Sequence, residues 1–213
     1  MKQYEMPLYG AGAVINPPIE ALESWHWETG AVYRPQSKFS CYAIKDDGIY
    51  AELWSAEENP RSRHIKRDRP VYEDSCLEIF LQPQLADARY INLEANELGT
   101  LWSAIGEQRG GRSFLKALTA SAVITGRTDE LSWQHFGRGG WGVQFIIPLE
   151  LLQALYGSGF NFYDGQVMRG NFYKCGDKTK IPHWGAWSPV TTNPPGFHNP
   201  DCFGEIILKE VNA

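Results

Sequence analysis

VYEDSCLEIFLQP, residues 71–83, reads as a buried strand entered from a polar turn, with one acid, Glu78, inside the apolar run. Successive side chains of a strand point to opposite faces. Leu77, Ile79 and Leu81 therefore share one face, and Cys76, Glu78 and Phe80 share the other. The next alternating run sorts in the same way. Ile91, Leu93 and Ala95 are apolar, while Tyr90, Asn92, Glu94 and Asn96 form a polar row. In RGNFYKC (169–175), Arg169, Asn171 and Tyr173 extend a similar surface. A face of carboxylates and amides gives directional hydrogen bonds to hydroxyl groups. A solvated outer face would show the same alternation, so the pattern alone leaves both readings open.

Period-2 alternation recurs along the chain. It predicts strands near 38–45, 48–56, 75–82, 89–97, 99–105, 114–125, 131–136, 141–147, 166–174 and 203–209, divided by turn signals such as DDG at 46–48 and ELG at 97–99. Two short helices are expected, one over PPIEALESW (17–25) and one over PLELLQALYG (148–157), which begins with proline and ends with glycine. Many strands with few helices predict an all-β fold, an antiparallel two-sheet β-sandwich occupying residues 1–213 as a single domain.

Composition narrows the function classes. The 213 residues carry a net charge of −5 without a long basic block, which disfavours nucleic acid and anionic membrane as partners. No stretch is apolar enough for a leader or a membrane span, so a cytoplasmic location is expected. Cys41, Cys76, Cys175 and Cys202 lack CxxC spacing and read as buried free thiols. Aromatic residues reach 13%, with 8 tryptophans. Tyr72 precedes the Glu78 strand, and Phe197 lies in the last long loop. A sugar offers apolar C–H faces and a rim of hydroxyls, so rings combined with carboxylates and amides suit it.

Three motifs in order resemble carbohydrate-binding module family 9 and the wider DOMON-like sandwich group. They are VYEDSCLEIFLQP, YINLEANELGTLW and RGNFYKCGDKTKIPHWGAWSPV leading to FHNPDCFGEIIL, and the likeness spans roughly residues 13–209. The resemblance implies a β-sandwich that binds a mono- or oligosaccharide between two rings, without transforming it. Tyr72 and Phe197 match the ring positions, where well-characterised members carry a tryptophan pair. Glu78 matches the strand carboxylate, Asn92 and Glu94 fall at the middle-strand polar positions, and Asn171 matches a late-strand position with Tyr173 beside it. No catalytic residue and no cofactor are implied. Some members bind calcium; Asp46, Asp47 and Asp74 are available acids, but they follow no recognisable loop motif, so metal stays unassigned.

Rival functions rest on the same residues. If their strands pair, Glu78 and Glu94 would sit about 5 Å apart, the separation of a retaining glycoside hydrolase. Haem would need axial ligands such as Met168 with a histidine, which an absorption spectrum would reveal. His183 and His198 read as packed residues, the basic loop at 57–74 as solvated, and GEQRGGR (106–112) as a hairpin connection. Lys174 and Asp177 could pair locally or join the site. Protein partners are unassigned.

Overall fold

The computed structural model describes residues 2–26, 33–57, 59–115, 140–193 and 196–211. The first five strands are β1 (Gln3–Tyr9), β2 (Ile19–Ala21), β3 (Ser24–His26), β4 (Ser37–Ile44) and β5 (Gly48–Ser55). Next come β6 (Cys76–Gln82), β7 (Tyr90–Asn96), β8 (Leu101–Gly106), β9 (Ser113–Phe114) and β10 (Trp141–Pro148). Helix α1 (Leu149–Tyr156) precedes β11 (Val167–Cys175), β12 (Trp184–Ala186) and β13 (Gly204–Glu210). The expected strands near 114–125 and 131–136 lie almost wholly outside the described residues.

One hydrogen-bonded path joins the strands in the order β10-β5-β4-β1-β13-β11-β6-β7-β8-β9. The path folds over on itself. Strands β4 and β11 are separated along it by β1 and β13, yet Phe39 and Phe172 stack with ring centroids 3.6 Å apart. The two halves thus face each other across one apolar core. Leu77, Ile79, Leu81, Ile91 and Leu93 come from one side of it, and Leu53, Val143 and Phe145 from the other. These are the apolar faces that alternation assigned, so the carboxylate-bearing face of β6 and β7 lies on the outside of the sandwich.

Two expectations change. The segment at 17–25 is not helical: β2 pairs β4 and β3 pairs β12, both antiparallel. A segment this short forms at most a marginal helix by itself, and vacant strand edges hydrogen-bond its backbone more fully. The sandwich is also not wholly antiparallel, because β1 runs parallel to both β13 and β4. Helix α1 occupies the span expected of it, and Gly157 ends it at φ 108. The FG at the start of β13 has a steric reason. Phe203 is buried, and a Cβ on Gly204 would collide with the buried indole of Trp187.

Candidate carbohydrate-binding site

Strand register builds the site row by row. Tyr173, Glu78, Glu94 and Trp102 are successive cross-strand partners over β11, β6, β7 and β8. The neighbouring row is Asn171, Phe80, Asn92, Ala104 and Phe114, and on the other side Cys175 pairs Cys76. A cleft of about 570 Å3 opens over these rows, within the range usual for small-molecule sites. Glu78 and Glu94 lie on its floor, 2% and 3% exposed. Tyr72, Trp102, Phe114, Trp184 and Phe197 supply aromatic walls, and Arg109, Arg112, Asp177 and His198 supply polar edges.

Loops hold the walls in place through backbone contacts. Tyr72 sits in a single 3-10 turn at Val71–Glu73, whose carbonyls at Tyr72 and Glu73 accept from the amides of Asp177 and Lys178 at 3.1 and 3.0 Å. Buried Asp74 anchors the preceding basic loop. It accepts from the amides of Arg63 and His64 at 2.9 Å and from Asn96 Nδ2 at 3.0 Å, with Arg61 Nε 3.3 Å away. That loop is therefore tied down rather than simply solvated. Asp74 Oδ2 accepts all three of these nitrogen donors while Oδ1 faces the Arg61 guanidinium, and Asp47 accepts from the Tyr50 hydroxyl at 2.6 Å. Trp184 Nε1 donates to Asp177 Oδ1 at 2.6 Å, which sets the indole against the cleft.

Four of the seven residues expected from sequence line the cleft together: Tyr72, Glu78, Glu94 and Phe197. The other three lie behind it. Asn92 is fully buried; its Nδ2 donates to Glu94 Oε1 at 2.7 Å, and its Oδ1 accepts from Arg112 Nε at 2.9 Å. Asn171 is spent on the 188 loop, donating to Ser188 O at 2.9 Å and accepting from Ser188 N at 2.8 Å. Tyr173 is buried beneath Phe197, with rings 4.0 Å apart and nearly parallel, and its hydroxyl donates to Phe197 O at 3.1 Å. These residues orient groups that face the cleft and do not line it.

Sequence reasoning missed Trp102, Phe114 and Trp184, although Trp102 stands inside a motif already singled out and falls opposite Glu94. It also missed Arg109 and Arg112. Arg112 lies 4.2 Å over the Tyr90 ring and donates to Tyr90 O at 2.8 Å, which ties the β8–β9 hairpin to β7. His198 bonds Tyr90 Oη through Nδ1 at 2.9 Å; burial, then the charges of Arg112 and Arg109, lower its pKa to about 3 and keep it neutral. Lys174 and Asp177 do not pair locally. Asp177 lines the cleft, whereas Lys174 is buried with Glu57 at 3.1 Å.

Electrostatics on the floor follow from burial. It pushes the Glu94 carboxyl up to about 7, although the Asn92 bond and Arg112 pull the other way. Glu78 is pushed well above the carboxylate range by burial and by its neighbour Glu94, against the Cys175 thiol, which donates to Oε1 at 2.8 Å. Glu94 Oε2 is buried and has no hydrogen-bond partner among the described residues. The folded protein holds protons that the unfolded chain releases near 4.5. The associated stability is full below about 4.5 and is lost as pH rises through about 7. His183 and His198, held neutral by burial, gain stability over part of the same range, so the floor is isolated by difference: relative to Glu94→Gln, the parent's calorimetric Tm should fall by about 5 °C from pH 5.5 to pH 8. A Tm difference from Glu94→Gln that stays constant or rises over this interval would contradict a protonated Glu94.

An outward sheet face with buried carboxyls between aromatic walls defines a sugar-binding β-sandwich. The chain belongs to carbohydrate-binding family 9, whose model matches residues 15–208. No curated protein matches the chain. Solved structures do. A candidate carbohydrate-binding protein from Bacteroides uniformis ATCC 8492 is 24% identical, with TM-score 0.80 over 98% of this chain and 99% of that one. A family 9 carbohydrate-binding module from Caldicellulosiruptor kristjanssonii, solved with cellotriose, is 15% identical, with TM-score 0.66 over 99% and 95%. The same organism's module solved with glucose matches at 15% and TM-score 0.66 over 99% and 97%.

Proposed function

We propose that the cleft binds a glucose-type mono- or oligosaccharide and releases it unchanged. The observation that carries this reading is the unpartnered Glu94 Oε2 on the floor of an aromatic-walled cleft. A buried polar atom without a partner is unfavourable, and a ligand hydroxyl, able to donate or accept, restores the missing bond. Tyr72, Trp102, Trp184 and Phe197 supply surfaces for the C–H faces of the ring, and Glu78 and Glu94 hydrogen-bond its hydroxyls. Asn92 positions Glu94, Tyr173 positions Phe197, and Asn171 fixes the 188 loop. The ligands of the Caldicellulosiruptor kristjanssonii modules, cellotriose and glucose, supply the first probes.

The Glu78–Glu94 pair serves hydrogen bonding in this reading. A retaining hydrolase needs one ionised nucleophile facing one protonated acid, whereas burial pushes both of these carboxyls up. The four buried cysteines are all free thiols, which suits a reducing compartment such as the cytoplasm. No helix among the described residues is long and apolar enough to cross a membrane.

Titration calorimetry with cellotriose and glucose tests the proposal. Expected is one site with Kd between micromolar and millimolar, roughly −8 to −4 kcal/mol. Trp102→Ala should weaken it about tenfold through lost ring contact. Cellotriose recovered after prolonged incubation should be intact; release of glucose would instead favour the hydrolase. Absence of heat with both sugars, together with a blank glycan array, would overturn the reading.

A further inference from the structure

We infer that Cys76, Cys175 and Glu78 form a binding site for one thiophilic divalent cation, zinc being the class that fits, with an open coordination position facing the cleft. Strand geometry creates the triangle. Cys76 and Glu78 are two residues apart on β6 and so share a face, and Cys175 is the direct cross-strand partner of Cys76 on β11. The two Sγ atoms and a Glu78 carboxylate oxygen all lie within 4.8 Å of one another, and the Cys175 Sγ to Glu78 Oε1 edge is 2.8 Å. Ligands about 2.0–2.3 Å from a tetrahedral zinc lie roughly 3.3–3.8 Å apart, so adjustments of no more than about an ångström suffice.

The donor set selects the ion. Two thiolates with one carboxylate favour zinc or cadmium over calcium or magnesium, which take oxygen ligands. The cation has a way in, because Glu78 and Cys175 line the cleft while Cys76 lies beneath. A second observation points to the same place. Glu94 faces Glu78 across β6 and β7, is 3% exposed, and leaves Oε2 unpartnered. A water on the open position would give that oxygen its missing hydrogen-bond partner. In the metal-free protein protons fill this role: the Cys175 thiol donates to Glu78, and the Cys76 thiol lies against that of Cys175, with a long contact of 3.8 Å to Leu77 O. Cation entry expels both thiol protons and the carboxyl proton, so affinity rises with pH.

The test uses the whole chain, reduced and stripped with a chelator, with no sugar present, so its outcome is independent of the carbohydrate reading. Thiol titration in denaturant first verifies that all cysteines are reduced. Titration with Co2+ should give a thiolate-to-cobalt charge-transfer band saturating at one equivalent and erased by Zn2+. Cys76→Ser and Cys175→Ser should each remove the band, Glu78→Gln should weaken binding at least about tenfold, and Cys41→Ser and Cys202→Ser should leave it unchanged. Glu78→Gln preserves side-chain shape and keeps the test decisive where a serine variant folds poorly. No band at millimolar Co2+, or a band that survives in the Cys76→Ser/Cys175→Ser double variant, overturns the site.

Discussion

Glu94→Ala is expected to weaken oligosaccharide binding about 30-fold or more, measured by calorimetry against the parent protein. The magnitude follows from the position of the residue. Its Oε1 is already fixed by Asn92, which Arg112 holds in turn, so the carboxyl is aimed before any ligand arrives. Its Oε2 has no partner among the described residues. A neutral hydrogen bond contributes roughly 0.5–1.5 kcal/mol, and a sugar hydroxyl left without its partner in the buried site costs about 1–3 kcal/mol more, so about 2 kcal/mol, a 30-fold change in Kd, is expected. Alanine removes this hydrogen-bonding group and also leaves the Asn92 amide without its receiver. Glu94→Gln keeps one carbonyl oxygen and should lose less, about tenfold. Glu150→Ala, on the exposed side of α1, should leave binding unchanged. An unaltered Kd in Glu94→Ala would remove this carboxyl from the site.

The second large effect concerns stability, on the opposite face of the sheet. Lys174 is fully buried, 3.1 Å from Glu57 Oε2, and its ammonium also donates to Cys175 O and to His183 Nε2, each at 2.8 Å. Glu57 accepts from Ser75 Oγ at 2.8 Å. Burial opposes the charge on Glu57, yet Lys174 and that hydroxyl together hold its pKa below the usual range. Burial and the Lys174 charge lower His183 to about 4, so it stays neutral and accepts from the ammonium. Removing one partner of such a pair strands a buried charge, which costs about 3–5 kcal/mol. Lys174→Ala should therefore lower Tm by about 10 °C, at 2–4 °C per kcal/mol for a chain of this size. Lys174→Met combined with Glu57→Gln should recover much of the loss, because no uncompensated charge remains. A Lys174→Ala variant melting within about 2 °C of the parent would mean that Glu57 is satisfied without its cation.

How much of this was legible beforehand depended on which interactions are local. Face assignments in β6, β7 and β11 follow from a period of two, and Glu78, Glu94, Asn171 and Tyr173 do share a face. Neighbour relations do not follow from that period. Alternation could not say that Lys174 would meet Glu57 instead of Asp177, since that pairing joins β11 to the end of β5 through the core. The parallel strand β1 was invisible for the same reason, because its partners β4 and β13 are remote in sequence. PPIEALESW carries helical composition, but short edge pairings override it. Depth within the site was equally hidden. Phe197 and Tyr173 both read as rings near the sugar, and only the stack between them shows which one faces the cleft. Trp184 escaped notice because the long proline-rich loop gave no strand signal for the three residues of β12.

In the proposed binding mode, sugar enters the cleft between β6–β8 and the 177 and 197 loops. Tryptophan indole N–H signals in a two-dimensional NMR titration with cellotriose test it most directly, since Trp102 and Trp184 line the cleft while Trp54, Trp141 and Trp187 are buried elsewhere in the fold. The account predicts saturable shifts of Trp102 and Trp184, which line the cleft, with Trp54, Trp141 and Trp187 still. Shifts confined to the latter three, or no shift of Trp102 and Trp184 while calorimetry reports binding, would contradict it.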